Sequence, residues 1–297
     1  LAVYMHGVTK ELWKLTRASR AVHQGESFPS GSEAVYCELL EFLQTDRDLA
    51  LRVLPDILTG ASAGGINAVF LAQAIHSGQS LEPLTDLWLE GADVDRLLDP
   101  DAQLWTRAAK FWAPPVVEFL LTRPGNAVSE SVAPETREQV RKKLARFVRS
   151  RWFAPPFSGI GFSKMIADAL QAMAEAPGEA PLLPPGHPID LFVTTTDFGG
   201  YIELLRLNSP PVVQESEHRL PISFRKRTPA EAGGSLGHPM ELVFAARSTT
   251  SFPGAFPPMK LAEIDNLAQQ RNVDWPSRQA FIERIMPAHV TQQDVDK

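Results

Sequence analysis

The run Gly60-Ala61-Ser62-Ala63-Gly64-Gly65 constrains the fold of this chain more than any other segment. A mainly apolar stretch, Leu49 to Leu58, leads into it, and an alanine-rich apolar segment follows it to Ser77. That order predicts a strand, a sharp turn and a buried helix over 61–77, closed by Gly78 as C-cap. The pattern G-x-S-x-G in this setting is that of a nucleophile elbow, with Ser62 projecting from a strained strand-to-helix turn. Small residues at Gly60 and Gly64 let the backbone fold tightly there. Gly65 lets the helix approach the sheet, and the helix start aims backbone N–H groups at a developing oxyanion. The bare pattern arises by chance in roughly one chain in ten of this length. The strand and helix around it therefore carry the reading, against the plainer one of a small-residue packing turn.

Further along, periodicity predicts helices over 8–17, 33–43, 135–151, 163–175, 240–247 and 277–285. Residues 18–32 hold Gly25, Pro29, Gly31 and several serines, and are expected to be a loop. Pro55 confines the strand before the elbow to Asp56–Thr59, because proline donates no ladder hydrogen bond. Asp190 to Asp197 is the clearest strand, β-branched and aromatic. Gly199-Gly200 is expected to turn the chain into a second strand, Tyr201 to Leu207, with a third over 218–225. Helix, strand and helix followed by strand pairs predict an α/β fold with a mixed sheet.

Composition removes several function classes. Hydrophobic residues are 44% of the 297, enough for a sizeable core. The net charge of −6 carries no global signature of a nucleic-acid binder. One cysteine, Cys37, makes no internal disulfide and is too few for a zinc–thiolate site. No apolar run reaches the ~18 residues of a membrane-spanning helix. The expected location is cytoplasmic or peripheral to a membrane.

A nucleophilic serine needs a base. In a triad the histidine would follow Ser62, and His238 and His289 lie late enough, though neither has a local signature. The alternative is a Ser-Asp dyad. Gly60-Ala61-Ser62-Ala63-Gly64-Gly65-Ile66-Asn67 resembles the serine elbow of patatin-like phospholipases. Tyr4-Met5-His6-Gly7-Val8 resembles the segment after that family's glycine-rich oxyanion loop. Ser248 to Pro258, ending Phe256-Pro257-Pro258, resembles the stretch before its catalytic aspartate. Order and spacing agree for all three, most closely with long bacterial patatin-related proteins.

The resemblance implies a three-layer α/β sandwich with a mixed, largely parallel central sheet and a mainly helical insertion over 85–185. It also implies a lipid acyl hydrolase, with a lipid or phospholipid as substrate, Ser62 as nucleophile, and neither cofactor nor metal. The family's aspartate precedes a glycine, and no Asp-Gly pair exists in this chain. Asp265, Asp274, Asp294 and Asp296 lack the glycine, and Asp197 reads as a turn residue ahead of the Phe-Pro-Pro segment. The aspartate is expected beyond Lys297 and the oxyanion loop before Leu1, in a single domain incomplete at both ends. A non-catalytic scaffold of the same fold is the third reading. The basic residues Arg137 to Arg151 could meet lipid headgroups, although a solvated helix face is the commoner role. Trp105, Phe111 and Trp112 read as core, with an acyl pocket as the alternative.

Overall fold

The computed structural model describes residues 2–91, 157–227 and 234–286. The expected helix over 135–151, Trp105, Phe111, Trp112, His289, Asp294 and Asp296 lie outside them, as does most of the 85–185 segment.

Among the described residues three strands form one mixed sheet in the order β1-β2-β3: β1 (Ile57–Ala61), β2 (Ile189–Arg206) and β3 (Val212–Lys226). β1 and β2 are parallel, with Ala61 opposite Thr194, and β2 and β3 are antiparallel. Paired residues share a face, so Leu58, Leu191, Val193, Ile222 and Phe224 form one buried apolar surface. On the other face Ile57 is exposed and Asp190 holds Arg227.

Helix α3 (Ala63–Ser77) packs on the apolar face and is covered in turn by α1 (Ala2–Gln24). Every residue from Gly65 to Ser77 is buried, as a helix apolar on all sides requires. α2 (Gly31–Arg47) lies on α1. A short α4 (Pro83–Asp86) runs into a π-helical turn at Leu87–Gly91. α5 (Gly159–Glu175) packs on α6 (Pro239–Ser248) and α7 (Leu261–Gln270), and α8 (Arg278–Ile285) lies on β3.

Four expectations change. The segment 18–32 is helical to Gln24, because its small and polar residues are buried by tertiary contacts. Ala18 and Ala21 pack against Cys37, and the Ser19 hydroxyl accepts the Val53 N–H at 2.7 Å. The strand before the elbow is shifted to Ile57–Ala61, carried past Thr59 by pairing with β2. Gly199-Gly200 does not reverse the chain. β2 continues through it as one strand with a bulge between Thr196 and Tyr201, and the reversal comes at 207–211. His218 stabilises the bulge, its Nδ1 donating to the Asp197 carbonyl at 2.8 Å. Lastly, α7 was not anticipated, although Leu261, Ile264, Leu267 and Ala268 recur at helical spacing and are buried.

Candidate active site

Ser62 stands at the joint of β1 and α3, at the C-terminal end of the parallel pair. Its backbone has φ 52° and ψ −126°, a conformation that L-residues with a side chain rarely adopt. Its carbonyl accepts the Ile66 N–H and starts α3, while its hydroxyl caps nothing and the residue is exposed. The strain is held from outside the turn. The Ser62 N–H donates to Thr249 Oγ1 at 2.7 Å, and Thr249 Oγ1 donates to the Thr194 carbonyl at 2.7 Å. One threonine just after α6 thus ties the elbow to β2.

The glycines of the run play unequal parts. A Cβ on Gly60 would stand 2.5 Å from the Gly64 carbonyl oxygen and 2.8 Å from the Gly65 Cα, backbone that cannot give way. A Cβ on Gly65 would meet Thr249 Cγ2 at 2.7 Å. At Gly64 it would meet only Met5 Cε at 3.9 Å, an ordinary contact. The tight fold expected of Gly60 and Gly64 therefore requires the glycine at Gly60 alone, and the close packing expected of Gly65 is made against Thr249 rather than the sheet. Ala61 ends β1, and Ala63 opens α3 with Gly64 and Gly65 in its first turn, where amides have no intrahelical acceptor.

The first turns of α1 and α3 are joined by Asn67. Its Nδ2 donates to the Ala63 carbonyl at 2.9 Å and the Ala2 carbonyl at 3.3 Å. His6 is buried close by, its ring 6.2 Å from that of Trp88. Burial, with a smaller push from Lys10, holds its imidazole below the ordinary value, so it is neutral at pH 7.

Below Thr249, Arg247 is fully buried. It donates through Nε to Glu263 at 3.1 Å, through Nη1 to Ser251 Oγ at 2.8 Å and through Nη2 to the Pro257 carbonyl at 2.9 Å. Burial lowers the guanidinium's pKa from its ordinary value, against the opposing charge of Glu263. The Phe-Pro-Pro segment is thereby fixed against α5 and α7. Thr249, Asn67 and Arg247 all lie inside or beside motif segments, yet nothing in a linear pattern says which atoms they join.

The proposed bases fare differently. His238 is the N-cap of α6: its Nδ1 accepts the Met240 N–H, and its Nε2 donates to the Asp274 carbonyl at 2.9 Å. Pro239 to Ser248 spans about 15 Å at 1.5 Å per residue, so His238 and Thr249 lie at opposite ends of α6. Asp197 turns its carboxylate to the Gly199 N–H, and Asp265 is paired with Arg278. Among the described residues, no imidazole or carboxylate hydrogen-bonds Ser62. The described residues also hold no cluster of ligands for a metal ion, and none of their helices is long and apolar enough to cross a membrane.

The family profile described as Patatin-like phospholipase matches residues 32–267, from the start of α2 into α7. This chain belongs to the patatin-like phospholipase family. The matched span holds the elbow, the three described strands, Thr249 and the Arg247 network. The chain is also 39% identical over 110 residues to the "Uncharacterized membrane protein Rv3479" of Mycobacterium tuberculosis (strain ATCC 25618 / H37Rv). That alignment covers 34% of this chain and 10% of the relative, so the chain matches about a tenth of that protein's length. No solved structure matches the chain significantly.

Proposed function

We propose that this patatin-like chain hydrolyses acyl esters of lipids, with Ser62 as the nucleophile of a Ser-Asp dyad. The observation that carries the reading is the backbone of Ser62. A positive φ on a serine at a strand-to-helix joint is costly, and here it is held by Thr249 with the hydroxyl left exposed. Strain of this kind persists where it presents a reacting group.

In the mechanism Ser62 Oγ attacks the ester carbonyl, and its proton passes to the aspartate of the dyad. The N–H of Ala63, the residue after the nucleophile, points at the oxyanion from the start of α3. Collapse of the tetrahedral intermediate expels the alcohol, which takes up a proton. Water then attacks the acyl-serine and releases the fatty acid. The distance of His238 from Thr249 along α6 favours the dyad over a triad using that histidine. The substrate class is a phospholipid or other lipid ester, reached by peripheral contact with lipid.

The test is intact-protein mass spectrometry after exposure to a fluorophosphonate probe. One adduct on the parent, absent from Ser62→Ala, is the expected result. A parent that takes no adduct, or a Ser62→Ala that still takes it, would leave a non-catalytic scaffold or another nucleophile.

A further inference from the structure

The antiparallel pair β2–β3 is much longer than the sheet it belongs to. β1 ends at Ala61, abreast of Thr194 and its partner Pro221, whereas β3 extends back to Val212. Those nine residues give the ribbon an overhang of about 30 Å at ~3.3 Å per residue. β2 runs parallel to β1, so this overhang leaves the sheet at the end where Ser62 stands.

The two faces of the overhang differ in kind. Ile202, Leu204 and Arg206 pair with Ser216, Gln214 and Val212. Alternation along β3 places this set on the face of Ile222 and Phe224, the side on which α3 packs. It contains no carboxylate. Leu204 is 66% exposed, and Ile202 and Val212 are also exposed. The opposite face carries Glu203, Glu215 and Glu217 together with Tyr201, Leu205 and Val213, which are half-buried. Phe198, in the bulge at the root of the ribbon, is 94% exposed. Phe252, three residues beyond the threonine that holds the Ser62 amide, is 69% exposed.

We propose that the exposed, carboxylate-free face of this ribbon seats the Ser62 end of the molecule on a lipid surface. The proposal rests on the reading of Ser62 as a lipid hydrolase nucleophile and names how that site meets aggregated substrate. Apolar side chains enter the acyl boundary, Arg206 meets phosphate, and the three carboxylates face water. Apolar residues stand on both faces, but those exposed to solvent lie on the face that has Arg206 and no carboxylate, which fits a boundary between hydrocarbon and phosphate. Such docking would bring lipid to the serine without requiring it to leave the bilayer first.

The probe is the full chain carrying Ser62→Ala, sedimented with phosphatidylcholine vesicles, so that binding is read without turnover. Co-sedimentation is expected. Ile202→Ser with Leu204→Ser should weaken it at least about tenfold. Phe198→Ser, at a site too exposed to disturb folding, should weaken it in the same direction. Cooperative thermal unfolding of the double variant at the parent temperature checks its fold. A parent that stays in the supernatant, or variants that bind like the parent, would overturn the proposal. So would a parent that dimerises through the ribbon and binds no vesicles, since the occupant is then a second copy. Fluorophosphonate labelling reports the nucleophile separately, so failure of the docking and failure of the catalytic reading remain distinct.

Discussion

At Ser62 the backbone is strained in a way a glycine would relieve. Ser62→Gly removes the Cβ from a position at φ 52°, and should raise stability by about 1 kcal/mol after the greater unfolded-state freedom of glycine is counted. The same change deletes the hydroxyl and should abolish fluorophosphonate labelling. Urea unfolding of both proteins checks the first half; a less stable Ser62→Gly would mean that the turn is not strained. The neighbouring glycines offer a sharper contrast. Gly65→Ala pushes a methyl into Thr249 Cγ2 at 2.7 Å and should cost roughly 1–3 kcal/mol, together with most of the labelling rate. Thr249→Ser removes that methyl while keeping the hydroxyl on the Ser62 amide, so Gly65→Ala with Thr249→Ser should recover part of both losses. Gly64→Ala, with only Met5 nearby, should label at close to the parent rate. If Gly64→Ala and Gly65→Ala prove equally damaging, the proposed division of roles is wrong. The sequence marks Gly60 and Gly64 alike, because a pattern records identity and not which neighbour each one faces.

Among the elements, the most demanding join is that of α6, α7 and the Phe-Pro-Pro segment. Arg247 and Glu263 form a buried pair with Ser251, Pro257 and Ser163 around it. Removing one partner leaves the other charge uncompensated, which typically costs about 3–5 kcal/mol. Arg247→Ala should therefore lose that much by chemical denaturation. A loss below about 1 kcal/mol would show that the network contributes little. The ribbon illustrates a second lesson at this scale. Gly199-Gly200 reads as a hairpin turn, but four residues, 197–200, bulge out of β2 opposite His218, and pairing resumes at Tyr201. Glycine pairs signal a departure from regular backbone; whether it is a reversal or a bulge depends on the strand opposite.

At the scale of the whole molecule, pH acts through two histidines that are buried among the described residues. Burial, with Lys10 beside His6 and Lys226 beside His76, holds both imidazoles below the ordinary value of 6.5. From 6.5 down to those lowered values the unfolded chain binds more protons than the folded one. Stability therefore falls as pH drops through that window and is flat with respect to these groups above it. The Glu179 carboxylate adds to the loss at lower pH: burial alone would raise it, but Arg17 and Arg20 outweigh that and hold it below its ordinary value. Midpoints of urea unfolding measured between pH 7.5 and 5 should decline steadily below about 6.5, and His6→Gln should flatten part of that slope. A profile with no decline would refute the assignment of buried neutral histidines.

The sequence alone determined the elbow, the buried helix behind it and the family. Each depends on local chemistry: a serine among small residues, an apolar run with helical spacing, and short motifs whose order is preserved. The mixed α/β character followed from the same patterns. What tertiary structure decided is how those pieces are held. Thr249 reaches the Ser62 amide from 187 positions away, and Glu179 draws Arg17 and Arg20 of a supposed loop and helix into one helix. Contacts of that range leave no periodicity, because each is made by one side chain whose partner is chosen by the fold. The overhang of β2 and β3 belongs to the same class: its residues read as strand, but only the register with β1 reveals that it projects past the serine.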